Sequence, residues 1–197
     1  MGFENSAGLS NRNHYGPRKV DESFGGNKST EGLTKEVELY YDLSEVSFTV
    51  QSGAATIVLS NPAGGTEMEA VIPAYALIKS ARAEVAEALS STGMSAAADV
   101  DLLVGLDKYS DGTAIDADGL IDATDGALTL SSNNISHAVG DVFVGSNAAL
   151  VPNVDIGAAD GQVYAALSID DDTGLTALAG KLRVIVEYVD SKRDNST

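Results

Sequence analysis

The chain contains no cysteine and no tryptophan, has four prolines, and draws only 6% of its 197 residues from aromatics. Without cysteine there is no disulfide framework, no thiolate nucleophile, no cysteine zinc site and no iron–sulfur cluster. The two histidines, His14 and His137, are too few for a zinc site or a Ser/His/Asp arrangement to be argued from them. Positive charge is scarce as well: 12 Lys and Arg stand against 29 Asp and Glu, a formal net charge of -17. No apolar run approaches the roughly 18 residues of a spanning helix, and the amino terminus lacks a basic-then-apolar signal pattern. The expectation is therefore a chain with no membrane partner and no secretory export. Phosphate-binding and dinucleotide-binding glycine motifs are missing too. With 29 acids, paired carboxylates occur by number alone and do not point to glycoside hydrolysis. The expectation is a protein that is not an enzyme and uses no cofactor.

What charge there is divides the chain. Residues 1–35 carry five basic and four acidic side chains, whereas residues 36–190 carry five basic and 24 acidic ones. So acidic a body repels phosphate backbones, and nucleic acid is not expected as a partner. The first 35 residues are rich in Gly, Asn and Ser and show no apolar period, as in Asn11–Arg18 and Gly25–Ser29. They read as an extended arm that is either disordered or ordered by a partner. Tyr15, Pro17, Val20 and Phe24 are the apolar anchors available to it. The organisation expected is an arm over 1–35, one domain over 36–190 and a short polar tail over 191–197.

Beyond residue 36 the pattern alternates. Val37, Leu39, Tyr41 and Leu43 interleave with polar residues, as do Val46–Val50 and Leu182–Val189. Further strands are expected at Ala55–Ser60, Met68–Ile72, Val100–Val104, Ala127–Leu130, Val142–Val144 and Val163–Ile169. Ala76–Leu89 is ambiguous, because its Ala, Glu, Lys and Leu content favours a helix on propensity. The 99 residues between Glu87 and Glu187 contain no Glu but 14 Asp and 11 Gly. Asp and Gly favour turns where Glu favours helix interiors, so this region reads as strands joined by turns. The fold class expected is all-β, an antiparallel sandwich.

The acidic stretch Asp107–Asp125 invites a calcium reading. On an EF-hand loop starting at Asp107, Tyr109 falls on a ligand position and Asp118 replaces the bidentate Glu; a second frame starts on Ala114. Neither frame holds, so solvated hairpin loops without a metal are expected. The myristoylation-like Met1–Ser6 and the sequons at Asn27, Asn134 and Asn195 are short patterns that match by chance.

Three stretches together carry a resemblance: Asn11–Val20 followed by Gly25, Gly26 and Thr30–Gly32; Ala70–Ile78 leading into Ala83–Ala88; and Lys181–Val189. The chain resembles capsid decoration or cement proteins of podovirus-like tailed phages of the marine, cyanophage type. The resemblance implies a jelly-roll-like sandwich in which Ala76–Leu89 is one long strand. It also implies a non-enzymatic role, with the major capsid protein as partner and a small homo-oligomer, a trimer above all. Its place would be the outer capsid surface of the virion, after synthesis in the host cytoplasm. The arm residues Arg12, His14, Tyr15, Pro17, Arg18, Lys19 and Phe24 would contact the capsid or a neighbouring subunit. The alternative is a head-fibre, knob or glycan-binding β domain of a phage particle.

Overall fold

In a computed structural model, the chain is described over residues 34–59, 71–94, 99–128, 134–146 and 148–190, with the backbone alone described for 12–15 and 24–29. In chain order the strands are β1 (Arg12–Tyr15), β2 (Phe24–Ser29), β3 (Thr34–Asp42), β4 (Ala55–Val58), β5 (Val71–Ile72), β6 (Leu77–Thr92) and β7 (Val100–Lys108). They continue as β8 (Ala114–Ile121), β9 (Ser136–His137), β10 (Val142–Val144), β11 (Val154–Asp155), β12 (Gly161–Ile169) and β13 (Ala177–Val189). One turn of 3-10 helix, Leu43–Glu45, follows β3, and there is no α-helix among the described residues.

The strands form two antiparallel sheets. The larger has the order β1-β2-β3-β13-β6-β10, with β9 and β11 also pairing β6; the smaller runs β4-β12-β7-β8, with β5 also on β12. Counting β3, β4, β6, β7, β8, β10, β12 and β13 as the eight principal strands, the sheets read first-eighth-third-sixth and second-seventh-fourth-fifth. This is the strand order of a jelly roll. The chain passes repeatedly from one sheet to the other, and buried residues of both sheets form a single core cluster.

Period two explains the core. Val37, Leu39 and Tyr41 of β3 face inward with Leu182, Val184, Val186 and Tyr188 of β13, all essentially buried. On β6 the inward positions include Ile78, Ala81, Ala83, Val85 and Leu89. The helix-forming alanines of this strand are thus small inward side chains, and tertiary packing overrides propensity. The smaller sheet contributes Leu102, Val104 and Leu106 from β7 and Val163, Ala165, Leu167 and Ile169 from β12. Tyr41 and Tyr188 are the largest fully buried side chains, and burial pushes both phenols well above the usual tyrosine range. Gly180 lies where the register of the long β6–β13 pair shifts. It sits at φ +106 in a bulge between Ala179 and Lys181, where a Cβ would lie 2.4 Å from the Ala88 carbonyl oxygen.

Three expectations need adjustment. Val46–Val50 is not a strand: it is the passage from the large sheet to the small one, with Val46 and Phe48 half-buried against the core. The supposed loops of Asp107–Asp125 contain a strand, β8, whose last residues Leu120 and Ile121 are fully buried. Gly105 makes room for it, since a Cβ there would be 2.1 Å from the Asp116 carbonyl oxygen. Residues 12–15 and 24–29 form a hairpin on the edge of β3, with Arg12 opposite Ser29 and Lys28 opposite Val37. β3 itself begins at Thr34, inside the stretch read as arm. Of Met68–Ile72, only Val71 and Ile72 are described; of Ala127–Leu130, Ala127 bridges Asp101 and residues 129–130 lie outside the described residues.

Candidate functional site

Where β3, β13 and β6 lie side by side, their outward residues form rows across the large sheet. Tyr40, Arg183 and Glu84 make one row, Glu38, Ile185 and Arg82 the next, and Glu36, Glu187 and Ser80 the third. Lys181 lies between Asp42 and Glu87. Each cation bridges two carboxylates. Lys181 Nζ is 2.9 Å from Glu87 and 3.6 Å from Asp42; Arg82 is 2.9 Å from Glu84 and 3.7 Å from Glu187. Arg183 donates through Nε to Glu38 and through Nη1 to Glu84 at 3.2 Å. The Tyr40 hydroxyl donates to the same Glu38 oxygen at 2.7 Å, and Ser80 donates to Glu187 at 2.9 Å.

Energetically the rows are unequal. Pairs about a third exposed, such as Arg82 with Glu187, contribute only about 0.2–1 kcal/mol each. Glu38 differs, because its side chain is only 3% exposed and its charge is desolvated. Its neighbour Ile185 is fully buried although it points to the same side. Burial and the bond to Glu38 hold the Tyr40 phenol above its usual range. At the row's end, burial raises the Asp42 carboxyl, but hydrogen bonds from Ser44 and the charge of Lys181 outweigh it and leave it below the ordinary range.

The aspartates have another task. Asp42, Asp111, Asp116, Asp122, Asp155 and Asp171 each accept the backbone N–H two residues further on. These are Asx turns, in which the side chain imitates a backbone turn. Of the carboxylates that suggested a calcium loop, Asp111 and Asp122 hold turns, Asp107 lies on β7, Asp116 and Asp118 lie on β8, and Asp125 accepts from both Ser146 N–H and its hydroxyl. Asp172, 1% exposed, takes N–H bonds from Gln51 at 2.8 Å and Gly53 at 3.3 Å, pinning the passage before β4 to the loop after β12. Near the β7 start, burial and the charges of Asp99 and Asp170 push the Asp101 carboxyl above its usual range. His137 Nδ1 lies 3.0 Å from Asp141, and its ring meets Phe143 edge-on at 5.2 Å. Asp141 also accepts the Ala138 N–H, so this His–Asp pair braces a turn.

Of the arm residues named from the sequence, Arg12, His14 and Tyr15 lie on β1, the outermost strand, and Phe24 opens β2; Pro17, Arg18 and Lys19 lie outside the described residues. In the sheet, β2 lies between β1 and the charged rows, which begin on β3. The rows themselves escaped sequence reading, because outward residues of a strand show no partner until register is known. The available signal was the placing of Glu36, Glu38, Glu84, Glu87 and Glu187 within segments of strand-like alternation. Compared with protein-family models, curated proteins and solved structures, the chain finds no match.

Proposed function

We propose that the chain is a structural virion protein that binds the outside of a phage capsid and decorates or cements it, as a small homo-oligomer. The reading starts from the sequence resemblance, and one structural observation carries it further. A jelly roll, an architecture used by viral capsid domains among others, has its large sheet extended beyond β3 by the near-neutral amino-terminal segment. Among the described residues β1 is the outermost strand, and a sheet edge is the means by which one protein continues the sheet of another. The body carries many of its acids on turns and in internally paired rows. Such a surface stays soluble and repels packaged nucleic acid.

In this reading the major capsid protein is the partner, and Arg12, His14 and Tyr15 with the segment that follows them make the contact. The test is direct. Purified chain is added to heads that lack it and the mixture is sedimented. Saturable co-sedimentation in a fixed ratio to capsid subunits supports the reading. Protein that stays in the supernatant, or binds host cells instead, overturns it in favour of no particle role or of a fibre-tip role.

A further inference from the structure

Between Glu45 and Glu67 the sequence runs for 21 residues without a charged side chain, in a chain that is 21% charged. The described part of that stretch holds the passage Val46–Ala54 and strand β4. β4 is the edge of the smaller sheet, with β12 as its strand neighbour among the described residues. The bond from Leu59 N–H to the Ala165 carbonyl fixes which backbone groups face β12. By alternation, Ala55 and Ile57 also face it, and Thr56 and Val58 direct their N–H and C=O groups away from the sheet. Natural edges are guarded by Lys, Pro or a bulge; β4 has none of these.

Beside this edge lies a groove of about 630 Å³, walled by Ser47, Phe48, Thr49 and Gln51 opposite Ala54–Val58. Sheet spacings give one strand residue about 160 Å³, so the groove matches about four residues, the length of β4. The bonds from Gln51 and Gly53 to buried Asp172 anchor the far wall. With a wall on that side, the groove suits a single linear segment and not the edge of a second folded sheet. On the outer face, Thr56 lies across Ser168 from Asp101, which is crowded by Asp99 and Asp170. The lining is neutral and its flank acidic, so a segment neutral over the paired residues and cationic beside them is complementary.

We propose that the β4 edge is a strand-addition site for one extended, cation-flanked segment of the capsid protein, paired through the backbone of Thr56 and Val58. This rests on the attachment reading above and names the chemistry of its partner.

The probe is a labelled hexapeptide, Lys-Lys-Thr-Val-Thr-Val, measured by fluorescence anisotropy on the full chain. Val58→Pro removes an N–H that faces away from β12, so the ladder is kept; Val58→Lys gives a second variant without a proline. Unchanged melting temperatures identify folded variants. Wild type should bind, both variants should bind at least tenfold more weakly, and a Glu-Glu peptide should not bind. Asp101→Asn with Asp170→Asn should weaken binding severalfold and flatten its salt dependence. Absence of peptide binding, or binding undiminished in a folded Val58→Pro chain, overturns the site. A Val58→Pro chain that loses the peptide but sediments with heads as tightly as wild type overturns the capsid segment as occupant and leaves attachment standing. Self-association abolished by Val58→Pro overturns it in favour of a second copy. If wild type binds the peptide in a Val58-dependent way but not the heads, the strand-addition site is supported and the attachment reading fails.

Discussion

Replacing Arg183 with methionine keeps most of the side chain's packing and removes the guanidinium that meets Glu38 and Glu84. The Glu38 carboxylate, 3% exposed, then keeps the Tyr40 hydroxyl but loses its closest cation. Breaking a buried pair from one side costs about 3–5 kcal/mol. Arg183 is itself 34% exposed, so water screens part of the loss and about 2 kcal/mol is expected. For a chain of this size that lowers Tm by about 4–8 °C. The double variant Glu38→Gln with Arg183→Met removes the stranded charge and should recover more than half of the loss, giving a coupling of about 1 kcal/mol or more. Thermal melts of the four proteins in one buffer decide it. A single Arg183→Met variant that melts within about 1 °C of wild type, where additivity would also hold, would refute the assignment of Glu38 as a desolvated, paired charge.

Asp172→Ala strips two backbone N–H groups of their acceptor and should cost about 2–3 kcal/mol, with hydrogen exchange accelerated over residues 46–54 before the rest of the sheet. Asp101→Asn should stabilise the fold near neutral pH. Its folded-state pKa is raised above the ordinary 3.8, so the native form binds the proton more readily and stability falls as pH rises through that interval. Melts compared with wild type should therefore show the gain at neutral pH and its disappearance well below pH 3.8. Deleting residues 1–33 leaves β3 whole and should preserve a cooperative transition while weakening attachment to heads; loss of the transition would make the segment part of the core. Adding calcium to chelator-treated protein should leave Tm in place, whereas a tight site at 100 times its dissociation constant would add about 2.7 kcal/mol. Because each copy carries -17, self-association should strengthen as salt screens the repulsion, which sedimentation velocity at low and high salt measures.

Legibility followed burial. On β3 and β13 the apolar side chains Val37, Leu39 and Tyr41, and Leu182, Val184, Val186 and Tyr188, alternate and mark the strands without reference to any partner, whereas β12 is buried at nearly every position and β6 reads as helix by propensity. β8 was hidden because Asp116 and Asp118 stand at exposed or half-exposed positions of a strand that becomes apolar only at Leu120. Val46–Val50 carries a strand's alternation without being one. Val46 and Phe48 reach the core while the chain crosses between sheets, and periodicity cannot distinguish a paired strand from an extended passage. β2 meets β3 through Gly25 and Gly26 opposite Tyr40 and Leu39, and these positions carry no side chain that could leave an apolar period. The charged rows depend on which of Glu36, Glu38, Arg82, Glu84, Arg183 and Glu187 fall opposite each other. That is a matter of register over sequence separations of 99 residues for Arg183 with Glu84 and 145 for Arg183 with Glu38.

The central claim, attachment to the outside of the capsid, is tested most directly by electron cryo-microscopy of heads prepared with and without the chain. The account predicts extra density on the outer shell at symmetry-related positions, into which the jelly roll fits with its amino-terminal hairpin toward the capsid and its acidic turns toward solvent. Identical shells in the two preparations, or density confined to tail or fibre tips, would contradict it.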